Sequence, residues 1–421
     1  MLQNQYNIII IGAGPAGLIA AIESCKSSKK ILILEKMYTP ALKLKISGKG
    51  RCNITNDAEL EDFISHFGKN GRFLKFAFAK FFNTDLIKYF EELGVQFKLE
   101  RGGRYFPEND DAGEIANALL NKIKSLNIPI FTNSAVINIA KLPDKKFAIT
   151  VNKNAQRIQI KADKVILATG GKSYPKTGSN GAGFKLASQL GHTITPVSPC
   201  LVPIETKGNT AKKLQGLSLK NVKAQVWCGN KKLDERFGEM VFTDFGLSGP
   251  IILSLSKAVV KLVDDKKKVF ISIDLKPALD HKMIERRIIR EINEHSKQGF
   301  KNLLKKLLPG KLVPVFVEKL KISEEKQLSQ INSEERKKLR MLLKAFQFEV
   351  TGYRSFNHAI VTAGGICIKE INPQTMESRL VKGLYFAGEI IDVDADTGGF
   401  NLQAAFSTGW IAGKNAVHAL G

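Results

Sequence analysis

The sequence predicts an α/β protein in which both chain ends form one domain and the middle of the chain forms an inserted domain. Three observations lead to this prediction. The first residues alternate strand, helix and strand patterns, as a βαβ unit does. Residues 349–421 return to strand and small-residue patterns. Between them, residues 195–348 change in character, from short alternating segments to lysine-rich helical patterns.

The N-terminal segment "YNIIIIGAGPAGLIAAIESCKSSKKILILEK" reads as strand, turn, helix and strand. Tyr6 to Ile11 is a continuous apolar run with β-branched residues, which is typical of a strand buried in a parallel sheet. Ile31 to Leu34 is the second strand, and it ends at Glu35. The order of these elements predicts a βαβ unit at the start of the chain.

The turn of this unit carries a G-x-G-x-x-G pattern at Gly12, Gly14 and Gly17. In such a turn the first glycine bends the chain, the second admits a pyrophosphate and the third lets helix and strand pack closely. Glu35 lies 23 residues after Gly12, close to the spacing of an acid that binds a ribose. The helix N-terminus adds free N–H groups and positive potential. These features together predict a Rossmann-like, dinucleotide-binding domain.

The rest of the chain divides by pattern into further elements. Those predicted before residue 195 are two helical pieces within Phe73–Leu93 broken at Asn83, a hairpin at "FKLERGGRYFP", an amphipathic helix at Asp111–Leu126, short β-runs at Ile128–Phe131, Ala135–Ile139, Phe147–Val151 and Ile158–Ile160, and a strand within "KVILATGG". We therefore assign residues 1–194 and 349–421 to the Rossmann-like domain. The insert is 195–348, β-rich over 195–275 and helical over 276–348.

Composition limits the class of protein. No apolar run approaches the ~18 residues of a membrane span, and we expect no signal peptide. Five scattered cysteines without a C-x-x-C pair favour reduced thiols, a cytoplasmic protein and no metal site.

The net charge of +24, from 64 Lys and Arg against 40 Asp and Glu, is unusual. Residues 276–348 alone hold 18 basic and 9 acidic residues. A basic excess of this size suggests a polyanionic partner. The alternative is codon bias in an AT-rich genome, since lysine supplies most of the excess.

The C-terminal segment points to a flavin. "GLYFAGE" is a strand that ends at Gly388 and Glu389, and "TGGFNLQAAFSTGWIAGKNA" is a glycine turn that opens a small-residue helix. A helix N-terminus stabilises the negative charge that a reduced flavin carries. With the N-terminal pattern and "ILATGG", the chain resembles FAD proteins of the two-dinucleotide-binding-domain type.

Longer motifs make the resemblance more specific. "KISGKGRCNITN", "ATGGKSYPKTGSNGAGFKLASQLGH", "FTDFGLSGP", "VTAGGI" and "TMESRLVKGLYFAGEIIDVDADTGGFNLQ" are similar to the signatures of one bacterial flavoprotein family. Its members are labelled aminoacetone-oxidase-like proteins, bile-acid enone reductases or ribosomal-RNA dihydrouridine synthases. The resemblance runs essentially from end to end.

The resemblance implies a set of FAD contacts, and the glycine turn and Glu35 predict part of it independently. The loop Ser47–Asn53 is expected to wrap the pyrophosphate and the inner face of the flavin. The candidate cofactor-binding residues are Gly12, Gly14, Pro15, Ala16, Gly17, Glu35, Lys36, Ser47, Gly48, Lys49, Gly50, Arg51, Asn53, Val136, Ala168, Thr169, Gly170, Gly388, Glu389, Gly398, Gly399, Asn401 and Leu402.

Proton donors are harder to identify from the sequence. The candidates are Cys52, Tyr174, His358 and Tyr105. A buried thiol or a lone histidine is more often a packing residue than a catalytic one, so both interpretations stay open for Cys52 and His358. No second strand–glycine–helix unit with the right spacing is visible. The family resemblance implies that NADH or NADPH donates electrons at the open face of the flavin.

The expected chemistry is reduction of an electron-poor C=C bond by an FAD-dependent, NAD(P)H-driven oxidoreductase. The charge favours uridine in ribosomal RNA as the substrate, with the basic helical insert as an RNA clamp. A small enone of the steroid or bile-acid type, amine oxidation and a non-enzymatic flavin module remain alternatives. The choice between NADH and NADPH, the modified nucleotide and the oligomeric state stay open.

Overall fold

A computed structural model describes residues 5–25, 29–154 and 156–418, and it divides the chain into two compact units. The first unit contains the described residues up to Cys200 and from Phe356 onward, and the second contains Leu201–Ser355. Each unit has its own hydrophobic core. The α/β prediction, with a domain built from both chain ends around an insert, is confirmed.

The chain forms strands and helices in alternation. The strands are β1 (Gln5–Ile11), β2 (Ile31–Leu34), β3 (Thr55–Asn56), β4 (Phe97–Glu100), β5 (Arg104–Pro107), β6 (Ile130–Phe131), β7 (Ser134–Lys141), β8 (Phe147–Lys153), β9 (Gln156–Leu167), β10 (Ser198–Cys200), β11 (Ile204–Thr206), β12 (Ser218–Cys228), β13 (Lys231–Phe242), β14 (Gly246–Ser248), β15 (Val269–Asp274), β16 (Phe346–Tyr353), β17 (Val361–Ala363) and β18 (Leu384–Phe386). The α-helices are α1 (Pro15–Ser24), α2 (Leu42–Lys45), α3 (Leu60–Ser65), α4 (Lys75–Lys80), α5 (Asn83–Glu91), α6 (Ala112–Ser125), α7 (Ala182–Gln189), α8 (Thr210–Lys213), α9 (Pro250–Asp264), α10 (His281–Glu294), α11 (Phe300–Leu307), α12 (Leu312–Leu320), α13 (Ser333–Lys344) and α14 (Phe400–His418).

The main sheet of the first unit has the order β6-β2-β1-β9-β8-β7, and β18 also pairs with β9. β6, β2, β1, β9 and β18 run parallel, whereas β7 and β8 form an antiparallel extension. The two runs predicted at Ile158–Ile160 and within "KVILATGG" are one strand, β9. Its first half pairs with β8 and its second half with β1 and β18, so one continuous strand joins the two parts of the sheet.

Helices α1 and α14, from the two ends of the chain, pack against each other through glycines. A Cβ on Gly409 would lie 2.4 Å from the backbone oxygen of Ala16, and one on Gly413 would lie 2.4 Å from that of Ala20. Such distances are far below van der Waals contact, so only glycine allows the two backbones to approach this closely. The small-residue helix predicted in the C-terminal segment is thus the one that makes this contact.

The second unit is a closed antiparallel barrel with the strand order β11-β14-β13-β12-β15-β16, accompanied by α9 to α13. The β-rich prediction for 195–275 missed the 15-residue helix α9. Its signal was present, because Pro250 after Gly249 suits a helix start and Ile252, Leu255 and Val259 recur at helical spacing. The prolines and the short alternating segments around this helix favoured a β-rich prediction instead.

The unit boundaries differ by a few residues from the predicted insert, 195–348. Ser198–Cys200 pairs with β17 of the first unit, so the insert begins later. At the other end, β16 pairs with β11 and β15 and closes the barrel, so the insert extends to Ser355. Long-range strand pairing, which is not visible in local patterns, sets both boundaries. Among the described residues, no helix is long and apolar enough to cross a membrane.

Candidate dinucleotide and active site

Four loops of the first unit meet at one edge of the parallel sheet. Because β1, β2, β9 and β18 run in the same direction, their carboxyl ends lie together. The loops that follow them start at Gly12, Glu35, Ala168 and Ala387. In open parallel sheets this edge is where ligands bind. The structure therefore brings together the predicted residues of the turn after β1, Glu35, Lys36, Ala168, Thr169, Gly170, Gly388 and Glu389.

The turn after β1 is shaped by its glycines. Gly12 has φ of +106°, and a Cβ there would lie 2.4 Å from the backbone oxygen of Ala168. A Cβ on Gly17 would lie 1.9 Å from the backbone oxygen of Gly12. Gly14 is different, because a Cβ there would meet no atom within 4 Å. The protein thus requires glycine at 12 and 17 for its own packing and leaves open space beside Gly14.

Glu35 is a buried carboxylate at the end of β2, with 9% of its surface exposed. Its Oε2 accepts a hydrogen bond from the backbone N–H of Ala13 at 2.8 Å, and its Oε1 accepts one from Met37 at 2.8 Å. Each oxygen keeps one further lone pair. Lys36 donates from Nζ to Asn180 at 2.6 Å, and burial lowers its pKa against the opposing effect of Glu35. The carboxylate of Glu35 is held in place beside the turn and can still accept hydrogen bonds from hydroxyl groups.

Three buried polar atoms in the loops that carry the predicted cofactor residues have no hydrogen-bond partner among the residues that the structure describes. They are Asn53 Oδ1, Thr169 Oγ1 and Ser179 Oγ. Ser179 lies 2.7 Å from where a Cβ of Gly170 would be, so it belongs to the same loop cluster as Thr169. An unsatisfied buried polar atom costs about 1–3 kcal/mol and calls for an absent partner such as a ligand or water. Ser179 was not predicted, although it lies within the quoted "ATGGKSYPKTGSN" motif.

The loop Ser47–Asn53 has an unusual backbone. Gly48, Lys49, Gly50 and Cys52 all have positive φ, between 57° and 87°. Right-handed and left-handed residues in alternation, as at Arg51 and Cys52, turn backbone N–H groups toward one side and form anion-binding concavities. Lys49 and Cys52 adopt this region without being glycine, a strain that is typical of functional loops.

Arg51 does not have the free guanidinium that was predicted for phosphate binding. It donates to Glu100 and, at 2.6 Å, to Asp110, and its guanidinium lies 4.1 Å from the centre of the Phe106 ring. Both acids come from the hairpin region, which the sequence does not place near Arg51. The residue thus anchors the loop to the segment from β4 to Asp110, and Lys49 remains the exposed cation of the loop.

Cys52 is fully buried, and burial raises the pKa of its thiol to about 12. Such a thiol keeps its proton at neutral pH and is far from the pKa at which proton transfer is efficient. The structure therefore favours the packing interpretation of Cys52.

We expect Cys52→Ala to leave substrate turnover within about twofold of the wild type, because proton transfer does not pass through a thiol this weakly acidic. Removing the buried sulfur should lower the free energy of unfolding by about 1–2 kcal/mol through the cavity it leaves. Steady-state turnover and urea unfolding measure the two effects. A drop of ~10²-fold in substrate reduction, with flavin reduction by the nicotinamide intact, would assign the proton to Cys52.

Glu389 lies in a network that the sequence did not reveal. Its carboxylate accepts hydrogen bonds from Lys43 Nζ, from Ser173 Oγ at 2.9 Å and from the Thr362 N–H at 2.8 Å. Lys43 also donates to Ser173 at 2.6 Å. The network ties α2, the loop after β9, β17 and the loop after β18 into one body. Lys43, Ser173 and Thr362 carry no local signal that would have linked them.

The catalytic candidates fall into two groups. The Tyr174 N–H donates to the backbone oxygen of Phe356 at 3.0 Å, so the turn that carries the exposed His358 lies beside Tyr174. Tyr105 lies on β5, pairs with Thr55 of β3, and donates from its hydroxyl to Asp57 at 3.2 Å. The loops that carry Tyr174 and His358 thus lie side by side. Tyr105 lies instead beside β3, which begins three residues after Cys52.

The remaining predicted residues lie on two further segments. Asn401 accepts from the Ala395 N–H at 2.9 Å and donates to Ala395 O at 3.0 Å, so its amide holds the loop before α14. Gly398 and Gly399 lie between that loop and Leu402 in the first turn of α14, and a Cβ on Gly399 would lie 2.3 Å from Thr55 O. Val136 lies at a β-bulge of β7, two residues after Ser134, whose N–H donates to Glu35 O at 2.9 Å.

The basic helices of the second unit are partly neutralised within the unit. Arg336 and Arg340 of α13 donate to Glu285 of α10 at 3.0 and 2.7 Å. These arginines join two helices and are not free to bind a polyanion. Lys337 and Lys338, on the same helix, are exposed. The lysines therefore supply the free positive charge of this helix.

The sheet, the glycine turn and the C-terminal helix define a Rossmann-type, dinucleotide-binding fold. A solved structure of similar fold is the open conformation of a flavocytochrome c3 fumarate reductase, with a TM-score of 0.56 and 18% identity over 100% of this chain and 79% of that one. The profile of the family described as HI0933-like protein Rossmann domain matches residues 6–415. The chain belongs to this family.

Two curated relatives match almost the whole chain. One is the 3-dehydro-bile acid delta(4,6)-reductase of Clostridium scindens, 31% identical over 97% of this chain and 98% of the relative. The other is the ribosomal RNA dihydrouridine synthase of Haemophilus influenzae, 32% identical over 97% of this chain and 98% of the relative. The family predicted from the motifs is confirmed.

Proposed function

We propose that the protein binds FAD at the carboxyl edge of its parallel sheet and uses it as an NAD(P)H-driven reductase. The observation that carries the proposal is the combination of open space beside Gly14 with unsatisfied polar atoms of Asn53, Thr169 and Ser179. The edge lacks partners where a dinucleotide would supply them. The residues therefore fit the cofactor that the sequence predicted.

Each part of the edge has a role in this proposal. The backbone at Gly14 and the N-terminus of α1 would receive the pyrophosphate, and Glu35 would accept hydrogen bonds from the adenosine ribose. Asn53 and Thr169 would bind polar groups of the cofactor. The N-terminus of α14 at Gly398–Gly399 would stabilise negative charge on the flavin. When bound and reduced, FAD supplies a hydride to an electron-poor carbon–carbon double bond.

We propose uridine in ribosomal RNA as the substrate, with reduction of its C5=C6 bond. Support comes from the full-length similarity to a ribosomal RNA dihydrouridine synthase and from the net charge of +24. Phosphate neutralisation and access to an unstacked base are what an RNA substrate requires. Tyr174 and His358, on neighbouring loops, are the candidates that deliver the proton to the second carbon.

A small enone is the second candidate substrate, because the bile-acid reductase is similar over the same length and at nearly the same identity. Both substrates present a conjugated C=C bond, so the cofactor edge does not separate them. The net charge favours RNA, because a bile acid requires an apolar pocket and at most a cation for its one carboxylate, whereas RNA presents many phosphates. An RNA substrate would be met in the cytoplasm, which agrees with the reduced thiols expected of the five scattered cysteines.

The proposal is tested on the purified holoprotein with each substrate in turn. We expect release of FAD on denaturation, bleaching of the flavin by NADH or NADPH, and dihydrouridine in ribosomal RNA detected by mass spectrometry. RNA from a deletion strain should lack the same dihydrouridine. Turnover of a steroid dienone with unmodified RNA would select the enone reductase, and release of FMN alone would contradict the assignment of the cofactor.

A further inference from the structure

A cleft of about 530 Å³ on the first unit, outside the cofactor edge, is strongly basic. One wall is the 3-10 helix Gly68–Leu74, and the other is segment 368–379. Four cations line it: Lys69, Arg72, Lys369 and Arg379. Among the described residues that line the cleft there is no carboxylate. Glu61 interacts electrostatically with Arg72 but is not among the residues that line the cleft, so the lining itself carries four positive charges and favours an anion.

The four cations are exposed and available to a ligand. None of them forms an ion pair with a described residue, and the guanidinium of Arg379 donates from Nε to the backbone oxygen of Ile371 at 3.3 Å. Glu370, the neighbour of Lys369 in sequence, instead accepts from His192 Nδ1 at 3.1 Å and from the Thr193 N–H at 2.9 Å. The nearest acid in sequence is therefore engaged elsewhere.

Both walls of the cleft are attached to the same segment, residues 390–396. On one side Asn70 Nδ2 donates to Asp392 O at 2.7 Å. On the other side the Ile366 N–H donates to Ile390 O at 2.9 Å, and the Asp392 N–H donates to Ile366 O at 3.1 Å. This segment leads directly into Gly398 and Gly399. The cleft thus has two fixed walls that share a support with the start of α14.

The chemistry of the cleft suits a phosphodiester chain. Arginine binds phosphate through two parallel N–H groups, and lysine adds a mobile point charge. Ile368 and Pro373, which are half-buried, supply apolar surface for sugar or base. A single nicotinamide dinucleotide would need cations clustered around its few phosphates. Cations spread over two walls instead resemble a groove that follows a nucleic-acid backbone.

We propose that this cleft binds consecutive backbone phosphates of the RNA substrate and fixes its register beside the reduced base. The inference rests on the proposed RNA substrate. It assigns the main phosphate contacts to the first unit, whereas the sequence predicted them in the helical insert.

The test compares binding of a short 5′-fluorescein-labelled oligouridylate by fluorescence anisotropy over a range of salt concentrations. The cleft variant combines Lys69→Ala, Arg72→Ala, Lys369→Ala and Arg379→Ala. If the cleft binds four phosphates, the slope of log affinity against log salt should be shallower by about 3 in the cleft variant than in the wild type. Affinity at about 0.15 M salt should fall roughly 10²-fold. FAD content and NADPH oxidation should stay at the level of the wild type.

The matched control removes the same charge from exposed positions of the first unit. It combines Arg101→Ala, Lys124→Ala, Lys145→Ala and Arg157→Ala, and it should keep most of the affinity. Equal affinity of the cleft variant and the control would contradict RNA binding by the cleft, but not the proposed RNA substrate. A raised KM for NADPH with unchanged oligouridylate binding would also overturn it, in favour of a nicotinamide phosphate. Failure of the wild type to bind any RNA would instead contradict the RNA substrate itself.

Discussion

Gly14→Ala should strongly weaken retention of FAD while leaving the cofactor-free protein folded. The protein has room for the methyl group, because a Cβ at this position meets no atom within 4 Å. The backbone of Gly14 is extended, with φ of −84° and ψ of −176°, which alanine adopts without strain. Alanine is a poorer N-cap than glycine, but it also restricts the unfolded chain, so the two effects on stability nearly cancel.

The proposed pyrophosphate is what the methyl group would displace. Overpacking a close contact by one methyl costs about 1–3 kcal/mol, which corresponds to about 10- to 100-fold weaker FAD binding. Absorbance of the purified protein and titration with FAD measure this loss, and thermal unfolding of the cofactor-free protein checks the fold. Wild-type flavin content in Gly14→Ala would show that no ligand approaches the backbone there.

Gly310→Ala is the matched control. A Cβ on Gly310 also meets no atom within 4 Å and the residue does not have a left-handed φ, but it lies in the second unit, just before α12. It should change neither stability nor flavin content. A parallel loss of flavin in both variants would mean that the assay reports general damage rather than the cofactor site.

The sequence predicted the elements whose signals are local. The strand–glycine–helix turn, Glu35 at the end of β2, the hairpin at Gly102–Gly103 and the helix between Asp111 and Leu126 all follow from short-range patterns. The G-x-G-x-x-G pattern is informative because Gly12 and Gly17 are required by the packing of the protein itself. The ligand-binding edge of the sheet could therefore be predicted from the sequence alone.

Contacts between distant residues could not be predicted in the same way. Lys43 reaches Glu389 across 346 positions of the chain, and Arg51 reaches Asp110 across 59. Neither lysine nor arginine carries a local mark of its partner, so Arg51 was assigned to a phosphate. The predicted end of the insert differs from the unit boundary for the same reason, because β16 joins the barrel by pairing with β11.

A second large effect is expected from Thr169→Val, with opposite signs in the two states of the protein. Without cofactor, the buried Oγ1 of Thr169 has no partner among the described residues. Valine has nearly the same shape and no hydroxyl, so the cofactor-free protein should gain about 1 kcal/mol of stability. If the hydroxyl binds the cofactor, FAD affinity should fall roughly tenfold. Ligand stabilisation depends on affinity, so the rise in unfolding temperature on adding FAD should shrink.

Thr206→Val provides the control that makes the test specific. Thr206 Oγ1 is also buried without a partner among the described residues, but Thr206 lies on β11 of the barrel. The same substitution should stabilise the cofactor-free protein by a similar ~1 kcal/mol and leave FAD affinity unchanged. Thermal unfolding with and without FAD, measured on both variants, separates the two hydroxyls. If FAD raises the unfolding temperature of the two variants equally, the hydroxyl of Thr169 does not bind the cofactor. The observation that supports the proposed site would then be lost.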